Sequence, residues 1–184
     1  TDDGALFVAT HAAALREAFW LTDLAPGLVG RLCSKRGMHA LAREVGVPTA
    51  HAVFPRDRHE VHEFLRTAAF PVMLKGIDGV RLQERAGARM FIVRTADELL
   101  ARYDALEDPA APNLMLQEYI PGGDDTVWMF NGYFDARSEC LIGFTGKKLR
   151  QHPVHRGSTS LGVCLRNDAV AALTLVAAAV ASGL

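Results

Sequence analysis

The feature that most constrains this chain is the order in which helix-like and strand-like apolar patterns follow one another. Helical spacing dominates the earlier part and short apolar strands separated by turns dominate the later part. The principal helices are predicted over 35–45, 57–69 and 95–106, and the later strands over 113–120, 126–133 and 139–149. Helices first and antiparallel hairpins later predict an α+β fold rather than a doubly wound sheet.

Shorter patterns complete the predicted order of elements. Residues 5–9 (ALFVA) are typical of a buried strand, and 70–75 form a strand that is entered through Pro71. Residues 80–84 and 90–94 are predicted as strands on either side of a small polar loop. Residues 168–182 form an apolar, alanine-rich helix.

Composition excludes several classes of function. The net charge is −1, so no basic field indicates nucleic acid. No apolar run approaches the roughly 20 residues that span a membrane. Three widely spaced cysteines indicate reduced thiols rather than a disulfide frame, and we therefore expect a cytoplasmic protein.

Lysine is scarce, with only four residues among the 20 basic ones, at positions 35, 75, 147 and 148. A chain that uses arginine for ordinary surface charge can keep lysine where a compact ammonium is needed. Lys75 ends the apolar strand VMLK, where charge is costly unless an anion meets it. A lysine that reaches past the strand end into water is the alternative. The glycine-rich, H-R-D and D-F-G motifs of protein kinases do not accompany VMLK.

Four segments occur in a fixed order. Ser34-Lys35 opens a helix that leads into Val45–Thr49, and Phe70–Lys75 and Leu116–Asp124 follow at intervals of about 40 residues. The last segment extends from Phe144 to Gly162 and is rich in basic residues. This order and spacing resemble the ATP-grasp superfamily, in particular its carboxylate–amine ligase-like members, over nearly the whole chain. The resemblance implies a small α+β lobe plus part of a larger antiparallel-sheet lobe.

The resemblance also implies how a nucleotide would be held. Lys35 and Lys75 would contact the α- and β-phosphates, because phosphoryl transfer depends on positioning and charge neutralisation. Residues 117–120 would form the hinge between the lobes. There the backbone of Glu118 and Ile120 would meet the adenine edge, and the Gln117 side chain would reach the exocyclic amine.

Two further assignments follow from the resemblance. Asp124 would hydrogen-bond the ribose hydroxyls, with Asp125 as the adjacent alternative, although Pro121–Asp125 also has the composition of a plain turn. The segment 76–89 would be a flap over the phosphates, with its glycines diluted by arginines. At least two of the three arginines in this segment are expected to be solvated; they are Arg81, Arg85 and Arg89.

The late basic cluster is the candidate catalytic group. The resemblance places Lys148, Arg150 and Arg156 towards the γ-phosphate and the acyl substrate, and an arginine fork suits a carboxylate or acyl phosphate. Strand alternation puts Lys147 and Lys148 on opposite faces and Arg150 on the face of Lys148. Which of the two lysines faces the site stays open, and a solvated basic rim is the alternative.

Parts of the family pattern are missing from this chain. The E-x-N pair that holds Mg²⁺ in ATP-grasp enzymes does not occur. His59 and His62 stand i, i+3 without an evident third ligand, so no metal site is predicted. We therefore expect a domain fragment, with the Mg²⁺ ligands outside it, composed of an N-terminal strand–helix and linker (1–33), a first lobe (34–116) and a truncated second lobe (117–184).

The predicted function is that of the ATP-binding domain of an ATP-dependent carboxylate–amine, or carboxylate–thiol, ligase that forms an acyl phosphate. The fragment itself is expected to be inactive. Its partners would be ATP and small-molecule carboxylate and amine substrates, without nucleic acid or membrane, and its oligomeric state stays open. Two alternatives remain: a non-catalytic nucleotide-binding or assembly module, and an α+β interaction domain without a nucleotide.

Overall fold

A computed structural model describes residues 2–22, 27–123, 126–135, 137, 139–152 and 158–182. Its backbone contacts divide the chain into two units. The four-stranded unit comprises Gly30–Ala40 and Pro48–Ile120, and the three-stranded unit comprises Thr1–Val29, Leu41–Val47 and Pro121–Leu184.

Helices and antiparallel strands make up the described residues, so the predicted α+β class is confirmed. The helices are α1 (Asp2–Thr10), α2 (Ala12–Leu15), α3 (Leu28–Leu32), α4 (Lys35–Glu44), α5 (Arg58–Leu65), α6 (Gly79–Ala86), α7 (Ala96–Leu106) and α8 (Asp168–Ser182). The strands are β1 (Ala52–Val53), β2 (Val72–Gly76), β3 (Met90–Val93), β4 (Leu114–Glu118), β5 (Trp128–Phe134), β6 (Cys140–His152) and β7 (Ser158–Cys164).

The four-stranded unit is an antiparallel sheet in the order β1-β4-β2-β3. Successive side chains of a strand point to opposite faces, and the centre of one face of this sheet is apolar. Val72, Leu74, Leu114, Leu116 and Val93 have no exposed surface. They form the core together with side chains of α5, α6 and α7, which include Val61, Phe64, Leu82, Leu99 and Tyr103.

The opposite face of this sheet, which we call the Lys75 face, has a different composition. Lys75 stands opposite Met115 on one neighbour and Met90 on the other, while Met73 stands opposite Gln117 and Ile92. Three of the five methionines thus share this face with an ammonium and an amide. Methionine is flexible and polarisable and makes favourable contacts with aromatic rings.

The three-stranded unit is an antiparallel sheet in the order β5-β6-β7. Its Thr145 hydroxyl donates to the Leu165 carbonyl at 2.5 Å and accepts from the Asn167 N–H at 2.8 Å. Asn167 in turn accepts from the Val170 N–H and so caps α8. Phe130 stands opposite Thr145 and lines a cavity of about 410 Å³ with Ala171 of α8. The face of Thr145 is therefore the face that α8 covers.

Helix caps explain why several predicted boundaries agree with the structure. The Ser34 hydroxyl accepts from the Gly37 N–H at 3.3 Å at the start of α4, and Thr95 accepts from the Glu98 N–H at the start of α7. Side-chain oxygens at these positions satisfy N–H groups that have no partner inside the helix. The predicted strand over 5–9 is wrong, because these residues lie in α1, whose first turn holds Asp2 and Asp3. Acidic side chains stabilise the N-terminal end of a helix.

The predicted strand over 80–84 is also wrong, because these residues form α6. Asp78 caps it by accepting from the N–H groups of Val80 and Arg81, and Gly87 ends it in the left-handed conformation (φ 71°). Leu82, 1% exposed, fixes the helix to the core. The segment predicted as a flap is therefore largely a capped helix.

Candidate functional site

Lys75 holds a defined position at the centre of the Lys75 face. Its Nζ donates to Gln117 Oε1 at 2.7 Å across β2 and β4. Burial is the main cause that lowers the pKa of Lys75, and the nearby Lys35 ammonium lowers it further. The fold thus holds an ammonium where both the surroundings and a neighbouring cation disfavour its charge.

Lys35 reaches the same region from the first turn of α4. Its Nζ donates to the Ile77 carbonyl at 2.8 Å, in the turn that follows β2. Lys35 is an exposed residue as a whole, yet the surroundings of its ammonium still lower its pKa through burial. Asp78 acts in the opposite direction and raises the pKa, while Arg89 lowers it.

Lys35 contacts the carbonyl two residues after Lys75, and its charge lowers the pKa of Lys75, so the two ammonium groups lie in the same region. Within the ranges that the structure describes, neither lysine lies within ion-pair distance of a carboxylate. Two converging cations without a paired acid attract a polyanion, since opposite charge would relieve their mutual repulsion.

The predicted adenine-binding segment lies beside this pair. Glu118 ends β4, and its N–H donates to the His51 carbonyl at 2.9 Å. Ile120, two residues later, leaves 65% of its surface exposed. Gln117 was expected to reach an adenine amine, and its side-chain oxygen here accepts from Lys75. A carbonyl oxygen has a second lone pair, so this bond leaves room for another donor.

Two residues that sequence reasoning did not identify support this site. Asn113 is buried (8% exposed) and bonds both backbone groups of Asp78, next to the carbonyl that Lys35 contacts. Buried Glu107 accepts from the N–H groups of Asn113, Leu114 and Asp108. The contact of Asn113 with Asp78 joins positions 35 residues apart, which the sequence order alone does not bring together.

The arginines of the predicted flap bond to the four-stranded unit itself. Arg81 donates to the Ala111 carbonyl at 3.2 Å, and Arg85 donates to the Glu107 carbonyl at 3.4 Å. Arg89 donates to Gln83 at 2.7 Å. All three are exposed, in agreement with the expected solvated character, and two of them also tie α6 to the loop before β4.

Lys147 and Lys148 occupy opposite faces of the three-stranded sheet. Lys147 stands opposite Trp128, and its Nζ lies 5.9 Å from the centre of that ring, on the face of Thr145 and α8. Lys148 therefore lies on the face that α8 does not cover. Its Nζ donates to Gln151 at 3.1 Å.

The expected position of Arg150 assumed a regular strand, and this assumption is wrong. The pairing of β6 with β7 shifts register between Lys148 and Arg150 and again before Gln151. The bulge lets Lys148 contact a residue three positions later, which strict alternation would place on the opposite face. Arg150 is exposed, and it no longer follows from spacing that it shares the face of Lys148.

Two predicted site residues, Asp124 and Arg156, lie outside the described residues, as does Asp125. Among the residues that the structure does describe, no group of three His, Cys, Asp or Glu side chains is placed to hold a metal ion. We therefore assign no role in Mg²⁺ binding to any residue here. In the same ranges, no helix has the length and apolar character needed to cross a membrane.

Comparison with known proteins gives one curated relative and many solved structures. No family model matches the chain. A D-aspartate ligase of Enterococcus faecium (strain Aus0004) is 25% identical over 161 residues, which are 83% of this chain and 38% of that protein. The N5-carboxyaminoimidazole ribonucleotide synthetase of Thermus thermophilus superposes with a TM-score of 0.63, at 17% identity, over 92% of this chain and 43% of that chain.

Two further structures match as well. The ATP-grasp ligase PsnB, complexed with a minimal precursor, matches at TM-score 0.58 and 19% identity over 97% of this chain and 54% of that chain. A carboxyaminoimidazole ribonucleotide synthase from Aspergillus clavatus, complexed with ATP, matches at TM-score 0.58 and 14% identity over 95% and 44%. The chain has the ATP-grasp fold. The resemblance seen in the sequence is confirmed at the level of the fold.

The proteins that the chain matches are longer than the chain itself. The chain spans 38% of the curated ligase and between 43% and 54% of these three structures. Activity, substrates and partners of a whole protein are therefore matters for proposal. The fold was recognisable from the sequence because three marker residues occur in the expected order. Ser34 opens α4, and Lys75 and Gln117 lie on the paired strands β2 and β4.

Proposed function

We propose that this chain is the nucleotide-binding part of an ATP-dependent ligase that joins a carboxylate to an amine or a thiol through an acyl phosphate. The observation that carries the proposal is the convergence of Lys35 and Lys75 beside β4, with neither lysine within ion-pair distance of a described carboxylate. ATP carries roughly four negative charges at neutral pH, and phosphoryl transfer depends largely on neutralising and positioning them.

The two lysines have different roles in this proposal. Lys75 is held by Gln117 on a rigid central strand, so it would bind a phosphate group of the nucleotide with little loss of side-chain entropy. The Lys35 ammonium has three donors and gives one to the Ile77 carbonyl, so it would bind an anion while it keeps that contact. The anion would favour the charged form of both lysines and raise their lowered pKa values.

The surroundings of the lysines suit a nucleotide better than inorganic phosphate. Met73, Met90 and Met115 give the Lys75 face an apolar, adaptable surface that would receive a planar base. The exposed end of β4, at Glu118 and Ile120, would offer backbone groups to the base edge. Asp124 is proposed to bind the ribose.

The chemistry proposed for the whole enzyme has two steps. A carboxylate oxygen attacks the γ-phosphorus of ATP, and ADP leaves, which gives an acyl phosphate. The amine or thiol then attacks the acyl carbon and phosphate leaves. Lys148, on the face that α8 does not cover, and Arg150 and Arg156 are proposed to contact the acyl phosphate or the carboxylate. Mg²⁺ is proposed to be held by residues outside this chain, and we derive no step through it.

A binding module without turnover is the second candidate, and one observation favours it. The E-x-N pair is absent from the sequence, and the described residues hold no cluster of metal ligands. The two candidates differ in the product of the full-length protein. With ATP, Mg²⁺ and a panel of small carboxylates that includes D-aspartate, a ligase converts hydroxylamine into a hydroxamate. A binding module would leave hydroxylamine unchanged with every carboxylate.

Binding by this chain is tested by thermal unfolding with ATP, ADP, AMP and inorganic triphosphate. A ligand at 100 times its Kd stabilises a protein by about 2.7 kcal/mol. We expect stabilisation by ATP and ADP, less by AMP, and a clear loss of it in Lys75→Ala but not in Lys147→Ala. Equal behaviour of the two variants, or an absence of stabilisation by every nucleotide, would remove the proposal.

A further inference from the structure

Asn113 joins the loop before β4 to the turn after β2. Its Oδ1 accepts from the Asp78 N–H at 2.8 Å, and its Nδ2 donates to the Asp78 carbonyl at 3.0 Å. Its own carbonyl accepts from the Ile77 N–H at 2.7 Å. Three hydrogen bonds from one buried residue thus determine the path of two consecutive turn residues.

The turn held in this way carries the groups that face Lys35. The Ile77 carbonyl accepts from Lys35 Nζ at 2.8 Å. The Asp78 carboxylate, fixed by the N–H groups of Val80 and Arg81, favours the charged form of Lys35. A displaced turn would therefore change both the position of the Lys35 ammonium and the charges around it.

Asn113 is itself anchored from behind. Its N–H donates to Glu107 Oε1 at 2.8 Å, and the N–H of Leu114 donates to Glu107 Oε2 at 3.0 Å. Glu107 is only 7% exposed, so both bonds lie in a region from which water is largely excluded. Hydrogen bonds of this kind hold a side chain more rigidly than exposed ones.

We propose that Asn113 is a positioning residue, which sets the 77–78 turn and through it the Lys35 ammonium for an incoming phosphate. The proposal rests on the nucleotide-binding function proposed above and adds to it a residue that touches no ligand. A plain structural brace would affect only the stability of the four-stranded unit. A positioning residue must also change the environment of Lys35.

The experiment uses the 184-residue chain with lysine labelled by ¹³C at the ε carbon. Four lysines give four signals, and Lys35→Arg identifies the one from position 35. The pH midpoint of the Lys35 signal is compared in the parent, in Asn113→Ala and in Val61→Ala. Val61 is a fully buried core residue of α5, so its variant is a control for loss of stability alone. ATP affinity is measured for the same three proteins.

We expect the Lys35 midpoint to rise in Asn113→Ala, because a released turn lets the ammonium regain water, and burial is the largest cause of its lowered pKa and outweighs the loss of the Asp78 charge. The midpoint should stay unchanged in Val61→Ala. ATP affinity should fall roughly tenfold in Asn113→Ala alone, which is the scale of one charged hydrogen bond. An unchanged midpoint in folded Asn113→Ala, or an equal shift in Val61→Ala, would overturn the proposal.

A milder variant decides the matter if Asn113→Ala does not fold. The hydroxyl of Asn113→Ser is too short to bond both groups of Asp78, so the Lys35 midpoint should rise here too, and an unchanged midpoint counts against the proposal. The Lys35 titration needs no nucleotide. If the parent fails to bind ATP, the function proposed above falls, while the shift of the midpoint still tests the role of Asn113.

Discussion

Replacing Lys75 by methionine should separate binding from stability. The change keeps an unbranched side chain beside Met73 and Met115 and removes only the ammonium. In the free chain it forfeits the hydrogen bond to Gln117, worth about 1.5–3 kcal/mol for a charged donor. It also removes a partly buried charge and its repulsion from Lys35, which lower the pKa of Lys75. These effects oppose each other, so we expect the free energy of unfolding to change by no more than about 1 kcal/mol.

Nucleotide binding should respond very differently to the same change. Loss of one ammonium–phosphate contact weakens ATP binding by about 1.5–3 kcal/mol, which is about a 10- to 100-fold rise in Kd. Lys147→Met is the matched control, since it removes a charge that lies over Trp128 on the face of α8. It should cost at most about 1 kcal/mol of stability and leave the Kd nearly unchanged.

The assay combines urea unfolding without ligand and calorimetric titration with ATP for the parent and both variants. A residue kept for structure would show the reverse pattern, with stability lost and binding kept. The reasoning is refuted if Lys75→Met lowers the free energy of unfolding by about 3 kcal/mol, the full worth of a hydrogen bond from a charged donor, while the Kd stays at the parent value.

Three further outcomes follow from the described contacts. ATP affinity should fall as pH rises through the pKa of Lys75, which lies below the ordinary 10.5. Lys75→Arg should flatten this fall, because arginine stays charged. Parallel pH profiles of affinity for the two proteins would contradict the prediction. Gly37→Ala should destabilise the chain by about 1–3 kcal/mol, since a Cβ there would lie 2.5 Å from the Arg31 carbonyl oxygen; an unchanged urea midpoint would speak against that packing. Glu107→Ala should cost about 2–4 kcal/mol, because three N–H groups lose their acceptor, and urea unfolding with a loss below about 1 kcal/mol would show that water replaces the carboxylate.

The parts of the fold that the sequence predicted are those with local causes. Ser34 and Thr95 mark helix starts because their hydroxyls cap N–H groups three residues later. Lys75 was a candidate because a rare residue type ended an apolar strand. The α+β class followed from the order of the patterns. The caps and the strand-end lysine each lie within a few residues of the feature that they mark, and the class needs only the order of such local patterns.

The parts that the sequence did not predict depend on distant partners or on register. Asn113 contacts Asp78 across 35 positions, and no local pattern marks that pair. The bulge after Lys148 breaks the regular alternation from which the face of Arg150 was expected. Helix α6 did have local signals, a cap at Asp78 and a glycine at position 87. It buries one residue, Leu82, and a single apolar position does not show whether the spacing is that of a helix or of a strand.

The central claim is that the ammonium groups of Lys35 and Lys75 bind one polyanion together. ATP titrated into the chain labelled at its lysine ε carbons tests this directly, because each lysine gives its own signal. We expect the signals of Lys35 and Lys75 to move with a single common midpoint, and that midpoint to match the calorimetric Kd. Signals of these two lysines that stay in place at saturating ATP, or that move with different midpoints, would contradict the account.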